Sequence, residues 1–306
     1  MTNIYQFQVC LYNKPFLLYN QSMAKFDLHL HSNYSDGSDN IKTLLDKILQ
    51  AGIKIFALTD HDTVTGCPEM KKLVPKGIDF ITGTELTCKS DGISCHILGF
   101  NLDCTNKVLL NLIEKGKVLR KQKLDTRINY LKEVHKIDLT TEEIDWLYSR
   151  NSVVKTHLAD VLVKRGLAKD NISAMKQYLD NCKTGNTKFS IKEAINAIKA
   201  SGGIPVWAHP LGGEGEIHDT KQEFLPKLEV MKKYGIEGLE CYYSRYNERE
   251  AEFLVDCAKT NNLLISGGSD YHGTNKTIPI SRLSTTDRYV DSLSATVLNP
   301  LLHIGL

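Results

Sequence analysis

Apolar residues gather into seven short runs, near 25–30, 54–59, 78–83, 93–100, 203–208, 236–242 and 263–268. They are rich in Ile, Val, Leu and Phe and are bounded by Gly, Asp or Pro, the pattern of buried strands. Helical spacing fills most of the gaps. LLDKILQAG (44–52) stops at Gly52, and YNEREAEFLVDCAKTN (246–261) is amphipathic. SIKEAINAIKASGG (190–203) opens with Ser190 as a cap and Glu193 at the capping-box position. This alternation predicts an α/β fold with a mostly parallel sheet or barrel. Residues 101–189 break the rhythm with long helical patterns and no convincing strand. They predict a helical insertion between the fourth and fifth strands. The expected division is an extension at 1–22, a barrel from 23–100 and 190–290, the insertion at 101–189, and a tail at 291–306.

Composition narrows the class only a little. The 306 residues suffice for one large α/β domain or two smaller ones. A formal net charge of +2 gives no support for general adhesion to nucleic acid or membrane. No apolar stretch is long enough to span a bilayer. Residues 1–22 lack a basic start, and Asn13, Lys14 and Pro15 break their apolar run, so they make a poor signal peptide. Eight cysteines without a CxxC pair read as reduced thiols, and the expected location is cytoplasmic.

The chemistry is concentrated where the apolar runs end. FDLHLHSNYSDGS (26–38), ALTDHD (57–62), TGTELTC (82–88), SCHILGF (94–100), VWAHP (206–210) and ISGGSDYHG (265–273) carry it. Together they supply His29, His31, Asp36, His61, Glu85, His96, His209, Asp270 and His272. Imidazoles and carboxylates without cysteine suit Zn²⁺, Mn²⁺ or Fe²⁺ in a hydrolytic site rather than a structural zinc staple. Nine candidates are too many for one ion, so two or three divalent ions are expected, with metal-assisted attack of water. Barrel enzymes place such residues at the C-terminal ends of strands. His96 lies inside a run and must point inward. His29 and His31, two apart on a strand, share a face. His135, His218 and His303 lack such company and read as surface or structural residues.

The series HxH, SDG, TDHD, GTE, an inward His, AHP and SDYHG resembles the PHP (polymerase and histidinol phosphatase) superfamily of metal-dependent phosphoesterases. The likeness spans about 23–290. THLADVLVKRG, GLECYYSRY and the helical insertion make it similar to the branch of nucleoside 3′,5′-bisphosphate phosphatases and 5′→3′ oligoribonucleases. The resemblance implies a distorted seven-stranded β/α barrel holding three metals. It implies one ion on His29, His31, Glu85 and Asp270, a second shared by Glu85, His96 and His209, and a third on Asp36, His61 and His272. Glu85, His61 and Asp270 would then stand at the reacting centre. Asp60 or Asp62 would orient a ligand imidazole.

The implied substrate is a phosphorylated small molecule or short RNA, with no membrane partner and no stable binding of duplex nucleic acid. Lys155, His157, Arg165 and Arg245 are candidates to clamp its phosphates. The related proteins often carry Arg where Lys155 stands, and Lys keeps the charge but loses the bidentate geometry. Lys115, Lys117, Arg120, Lys121, Lys123 and Arg127 form either a solvated helix face or a guide for a polyanion. Tyr242, Tyr243 and Tyr271 either stack on a base or pack the rim. Glu240 and Cys241 read as packing. The leading expectation is a phosphohydrolase of small nucleotides or short 5′-phosphorylated RNA. The alternatives are a phosphomonoesterase for a metabolite such as histidinol phosphate, and a non-catalytic metal-binding or polymerase-associated module. An amidohydrolase would also use HxH but leaves the SDG and DYH residues unexplained.

Overall fold

Strands β1 (Lys25–Asp27), β2 (Ile53–Leu58), β3 (Asp79–Ser90), β4 (Ile93–Phe100), β5 (Ile204–Trp207), β6 (Gly238–Tyr243) and β7 (Leu264–Gly268) form one sheet in sequence order. The computed structural model describes residues 24–150, 153–185, 188–286 and 289–303, so the expected extension at 1–22 lies outside the described residues. The sheet closes on itself. Leu28 N–H donates to Gly267 (3.1 Å), Asp270 N–H to His29 (2.9 Å), and His31 N–H to Tyr271 (3.0 Å). The expected α/β barrel is therefore present.

Two departures from the expected pattern matter for the site. First, β4 runs antiparallel to both neighbours, while the other neighbouring pairs are parallel. The cause is local. Asp91 (φ 50°) and Gly92 (φ 76°) are both left-handed, the backbone a two-residue hairpin needs, and Asp-Gly is a favoured pair for it. Secondly, β3 continues to Ser90 instead of stopping near 83, because every residue from Gly83 to Ser90 pairs across that hairpin. The apolar run stops at Gly83, but hairpin pairing and burial carry the strand on. At the other end of the series β1 is only three residues long, and its continuation is tied down by isolated bonds rather than a ladder.

The helices are α1 (Ile41–Gln50), α2 (Cys67–Leu73), α3 (Lys107–His135), α4 (Thr141–Tyr148), α5 (Lys155–Lys164), α6 (Asn171–Ala174, followed by a π turn to Leu179), α7 (Ile191–Ala200), α8 (Lys221–Tyr234), α9 (Glu248–Thr260) and α10 (Leu298–Leu301). Ser190 and Glu193 form the expected capping box of α7. Phe26, Ala57, Ile81, Leu98 and Val206 fill a cluster within the sheet that also takes Val297, Leu298 and Leu301. Leu124, Leu131, Leu147, Leu158 and Leu162 make a separate core among α3–α5. Helix α3 joins the two regions. Its Leu109, Leu112 and Ile113 belong to the large cluster beneath the sheet, and its Leu124 and Leu131 to the helical one. The described cysteines are free thiols. Among the described residues no helix is long and apolar enough to cross a membrane.

Gly268 sits where the closing strands touch. A Cβ there would fall on His29 Cβ and lie 2.5 Å from the His29 backbone nitrogen. Gly268→Ala is expected to destabilise the fold by about 1–3 kcal/mol, as overpacking does, read as a lower urea midpoint. An unchanged midpoint would contradict the close approach.

Candidate metal centre

Glu85 reaches this centre from the middle of β3. Its backbone is fastened to the loop after β2: Glu85 N–H donates to Asp60 (3.2 Å), and Asp62 N–H donates to Glu85 (2.9 Å). The carboxylate is 1 % exposed, and five imidazoles converge on it. His29 Nε2 (3.2 Å), His31 Nε2 (3.2 Å) and His61 Nδ1 (3.1 Å) approach Oε2; His96 Nδ1 (3.0 Å) and His209 Nε2 (3.1 Å) approach Oε1. Asp270 Oδ1 lies 3.6 Å from His29 Nε2 and 3.3 Å from His31 Nε2. Asp36 lies 3.2 Å from His272 and 3.8 Å from both His31 and His61. All nine candidates from the sequence thus meet in one nest. His96 comes from β4, where it pairs with Thr87 across the hairpin.

The nest resolves into overlapping sets whose ligand atoms lie within 4.8 Å of one another: His31, Asp36, His61 and His272; His29, His31, Glu85 and Asp270; and His61, Glu85 and His96. His31 and His61 each serve two sets, which the expected three-way partition did not foresee. His209 adjoins the third, 3.3 Å from His96. His29 Nε2, His31 Nδ1 and Nε2, Asp36 Oδ1, His61 Nδ1, Glu85 Oε2 and His272 Nε2 are buried without a hydrogen-bond partner. Orphaned buried polar atoms are costly unless something satisfies them. Converging imidazole and carboxylate lone pairs fit divalent ions.

The electrostatics agree. Burial pushes the carboxyls of Glu85, Asp36 and Asp270 up, but neighbouring side chains outweigh it and hold them well below the usual range: the surrounding imidazoles for Glu85 and Asp36, and Lys276 first for Asp270. Burial pulls His31 down, yet Asp270 and Glu85 raise it to about 9. His209 rises to about 10 because Glu216 and Glu85 outweigh burial. His61 and His272 stay below the usual imidazole range, mainly through burial. The carboxylates thus favour the protonated form of His31 and His209, and a divalent ion bound here would take the place of those protons.

Asp60 and Asp62, expected to orient an imidazole, do other work. Asp60 accepts from Ser32 N–H (2.8 Å), Ser32 Oγ (2.7 Å) and Ser35 Oγ (2.6 Å), fixing the loop that carries Asp36. Asp62 accepts from Thr87 N–H (2.7 Å) and pairs with Arg120. The imidazole is oriented by Glu240, which the sequence assigned to packing. Its Oε1 lies 2.9 Å from His29 Nδ1, and its Oε2 accepts from His209 N–H at 2.7 Å. A bulge between Glu240 and Tyr242 marks where β6 turns this side chain inward. Glu216 faces His209 Nδ1 at 3.5 Å, and Lys276 donates to Asp270 at 2.8 Å. No motif pointed to Glu216 or Lys276; for Glu240 the signal was its place at a strand end beside the mouth. Asp27 pins the last loop, accepting from Ser269 Oγ (2.6 Å) and from the Ser269 (2.9 Å) and Ser281 (2.8 Å) amides.

The candidate phosphate clamps fare differently. His157 is buried at the start of α5, where Val154 N–H donates to its Nδ1 (3.2 Å) and its ring meets Trp146 edge-on. Lys155 is paired with Asp180 (2.6 Å), Arg165 with Glu143 inside the helical region, and Arg245 with Glu214, which lines the small pocket over the nest. Tyr243 donates to Asp270 (3.0 Å) and Tyr271 to Asp39 (2.8 Å). Both are buried, so they pack the rim rather than offer a face to a base. His135 packs against Tyr130 and Tyr178, His218 pairs with Glu250, and His303 is exposed.

Residues 27–200 match the PHP domain family. The chain is 32% identical over 253 residues to a 5′-3′ exoribonuclease of Haemophilus influenzae, covering 81% of this chain and 90% of that protein. It is 27% identical over 257 residues to a 3′,5′-nucleoside bisphosphate phosphatase of Chromobacterium violaceum, covering 82% and 88%. The structure of an amidohydrolase from Chromobacterium violaceum superposes with a TM-score of 0.77 at 22% identity, covering 92% of this chain and 97% of that one, which shows the fold. The chain belongs to the PHP domain family and is a phosphoesterase, a hydrolase acting on phosphate esters.

Glu240→Gln is expected to weaken retention of divalent ions about 10–100-fold, the usual effect of removing an outer partner of a ligand. Competition with a chromogenic chelator measures it, with circular dichroism as the check on folding. Unaltered retention would reduce Glu240 to packing.

Proposed function

We propose that this protein is a divalent-metal-dependent phosphohydrolase of nucleotides, acting on nucleoside 3′,5′-bisphosphates or on short 5′-phosphorylated oligoribonucleotides. The observation that carries the metal-dependent part is the convergence of five imidazoles on the two oxygens of buried Glu85. The nucleotide part is supported by the relatives named above. When bound, divalent ions supply activated water and neutralise phosphoryl charge.

The chain's own residues supply the rest. His29, His31, Asp36, His61, Glu85, His96, His209, Asp270 and His272 hold the ions. Glu85 belongs to two of the ligand sets, so its carboxylate would link the ions they hold. Lys276, beside Asp270 at the wall of the small pocket, faces the scissile phosphoryl group. We assign His157 to the substrate side because it meets Trp146 edge-on, the ring that Arg150 also lies over, and Arg150 donates to the Asn33 carbonyl beside the nest. Burial holds its imidazole below the usual range, so it acts neutral, as a hydrogen-bonding group. Lys155 and Arg245 reach substrate only by leaving Asp180 and Glu214.

A phosphate-release panel tests the reading. It comprises adenosine 3′,5′-bisphosphate, a 5′-phosphorylated pentaribonucleotide, histidinol phosphate and p-nitrophenyl phosphate, each with Mn²⁺, Zn²⁺, Fe²⁺ and Mg²⁺. Nucleotide turnover should exceed that of histidinol phosphate and stop with chelator; turnover of histidinol phosphate alone would replace the reading by that of a metabolite phosphatase. Glu85→Gln should cut turnover by several orders of magnitude, because an interaction made with both ligand sets is lost. Near-native activity with full metal content would remove Glu85 from the chemistry. His157→Ala should depress nucleotide turnover far more than that of p-nitrophenyl phosphate, which offers no second anchor. Equal losses would make His157 structural.

A further inference from the structure

Beside the metal nest, between α3 and the end of α4, lies a separate pocket of about 300 Å³ lined by Lys117, Arg120, Lys121, Tyr148 and Arg150, with no carboxylate among its lining residues. Two of its cations lead to the nest. Arg120 pairs with Asp62, next to His61, and lies 3.3 Å from Thr87 Oγ1. Arg150 donates to the Asn33 carbonyl (2.9 Å), two residues past His31. The Nε atoms of Arg120 and Arg150 are buried without a hydrogen-bond partner, as is that of Arg127 one turn-pair further along α3. Lys121 lies over the Tyr148 ring at 4.8 Å, and Arg150 over Trp146 at 5.7 Å, so both lean on aromatic faces. More cations crowd the next stretch of α3. Burial and then Arg127, Arg120, Lys188 and Lys155 pull Lys123 down to about 8. Part of the basic run does read as a solvated face: Lys115 pairs with Glu193, whereas Lys117 lines the pocket and is held only by exposed Glu114 at 3.4 Å. The half-buried guanidiniums do not fit that description. A concave pocket lined by four cations, with the Nε donors of two guanidiniums unsatisfied and the partner carboxylates Asp62, Glu114 and Asp125 outside its lining, calls for a multivalent anion.

We infer that this pocket is a subsite for a phosphate group of the substrate other than the scissile one. The inference rests on the nucleotide phosphohydrolase reading and deepens it, because it makes the preferred substrate one that carries a second phosphate beyond the metal nest. That phosphate comes either from the same nucleotide, as in a bisphosphate, or from the next phosphodiester of an oligonucleotide. Arg120 and Arg150 form the inner wall of the subsite. Lys117 and Lys121 guard its mouth.

The test uses the Lys117→Ala/Lys121→Ala double variant, which alters exposed side chains, with Arg150→Lys as a second variant that keeps the charge. Binding of a 5′-phosphorylated, 2′-O-methylated pentaribonucleotide carrying a 3′ fluorophore is followed by anisotropy over a salt series. Loss of two phosphate contacts should raise the Kd about tenfold or more and flatten the slope of log K against log salt by roughly 1 to 1.4. In turnover, kcat/KM on the pentaribonucleotide relative to p-nitrophenyl phosphate should fall about tenfold in the double variant, and less in Arg150→Lys. The same fall on adenosine 3′,5′-bisphosphate assigns the subsite to the mononucleotide's second phosphate; a fall on the pentaribonucleotide alone assigns it to the following phosphodiester. A folded double variant with unchanged Kd, salt slope and turnover ratio overturns the inference while leaving the phosphohydrolase reading intact. A wild-type enzyme that hydrolyses p-nitrophenyl phosphate but no nucleotide overturns both.

Discussion

Both oxygens of one buried carboxylate are occupied by imidazoles, three on one side of Glu85 and two on the other. That arrangement dictates much of the rest. A carboxylate removed from water costs several kcal/mol unless charge is supplied to it. The charge has to arrive from every direction, so residues from six strands or strand ends must meet at one point. Closure of the sheet between β1 and β7 brings in His29, His31 and Asp270. The β3–β4 hairpin brings in His96, on β4, which runs antiparallel to both its neighbours. Glu85 sits in mid-strand, held by the β4 ladder on one side and by bonds to Asp60 and Asp62 of the loop after β2 on the other.

Around this centre lies a ring of groups that never reach the ions. Asp27 holds the 269–281 segment, Asp60 the 32–35 turn, and Glu240 the His29 ring and the His209 amide. Their task is made harder by backbone strain. Asp62 (φ 50°), His209 (φ 27°) and Asp270 (φ 57°) all take left-handed conformations, each costing on the order of 1–3 kcal/mol for a non-glycine residue. Such strain persists only where the surroundings fix it. Here it aims side chains at strand ends back over the barrel mouth.

The nine nest residues were legible in the sequence because each closes or interrupts an apolar run, a signal that local periodicity carries. The barrel's strand count was legible for the same reason. The direction of β4 was not. A run of Ile, Val and Phe says nothing about orientation, and only the Asp91-Gly92 turn held that information. Glu240, Glu216 and Lys276 escaped because their partners lie far away in sequence, and a lone carboxylate or lysine carries no local pattern. Arg120 was noticed only as part of a charge run. Its reach to Asp62 depends on how α3 crosses the barrel mouth, which periodicity does not specify.

Ligand sets that share Glu85 predict a multinuclear centre rather than a single ion. Elemental analysis of protein purified without chelators and reconstituted with Mn²⁺ or Zn²⁺ addresses this directly. More than one tightly held divalent ion per chain is the expected result. One ion or fewer, in protein that remains folded, would contradict it.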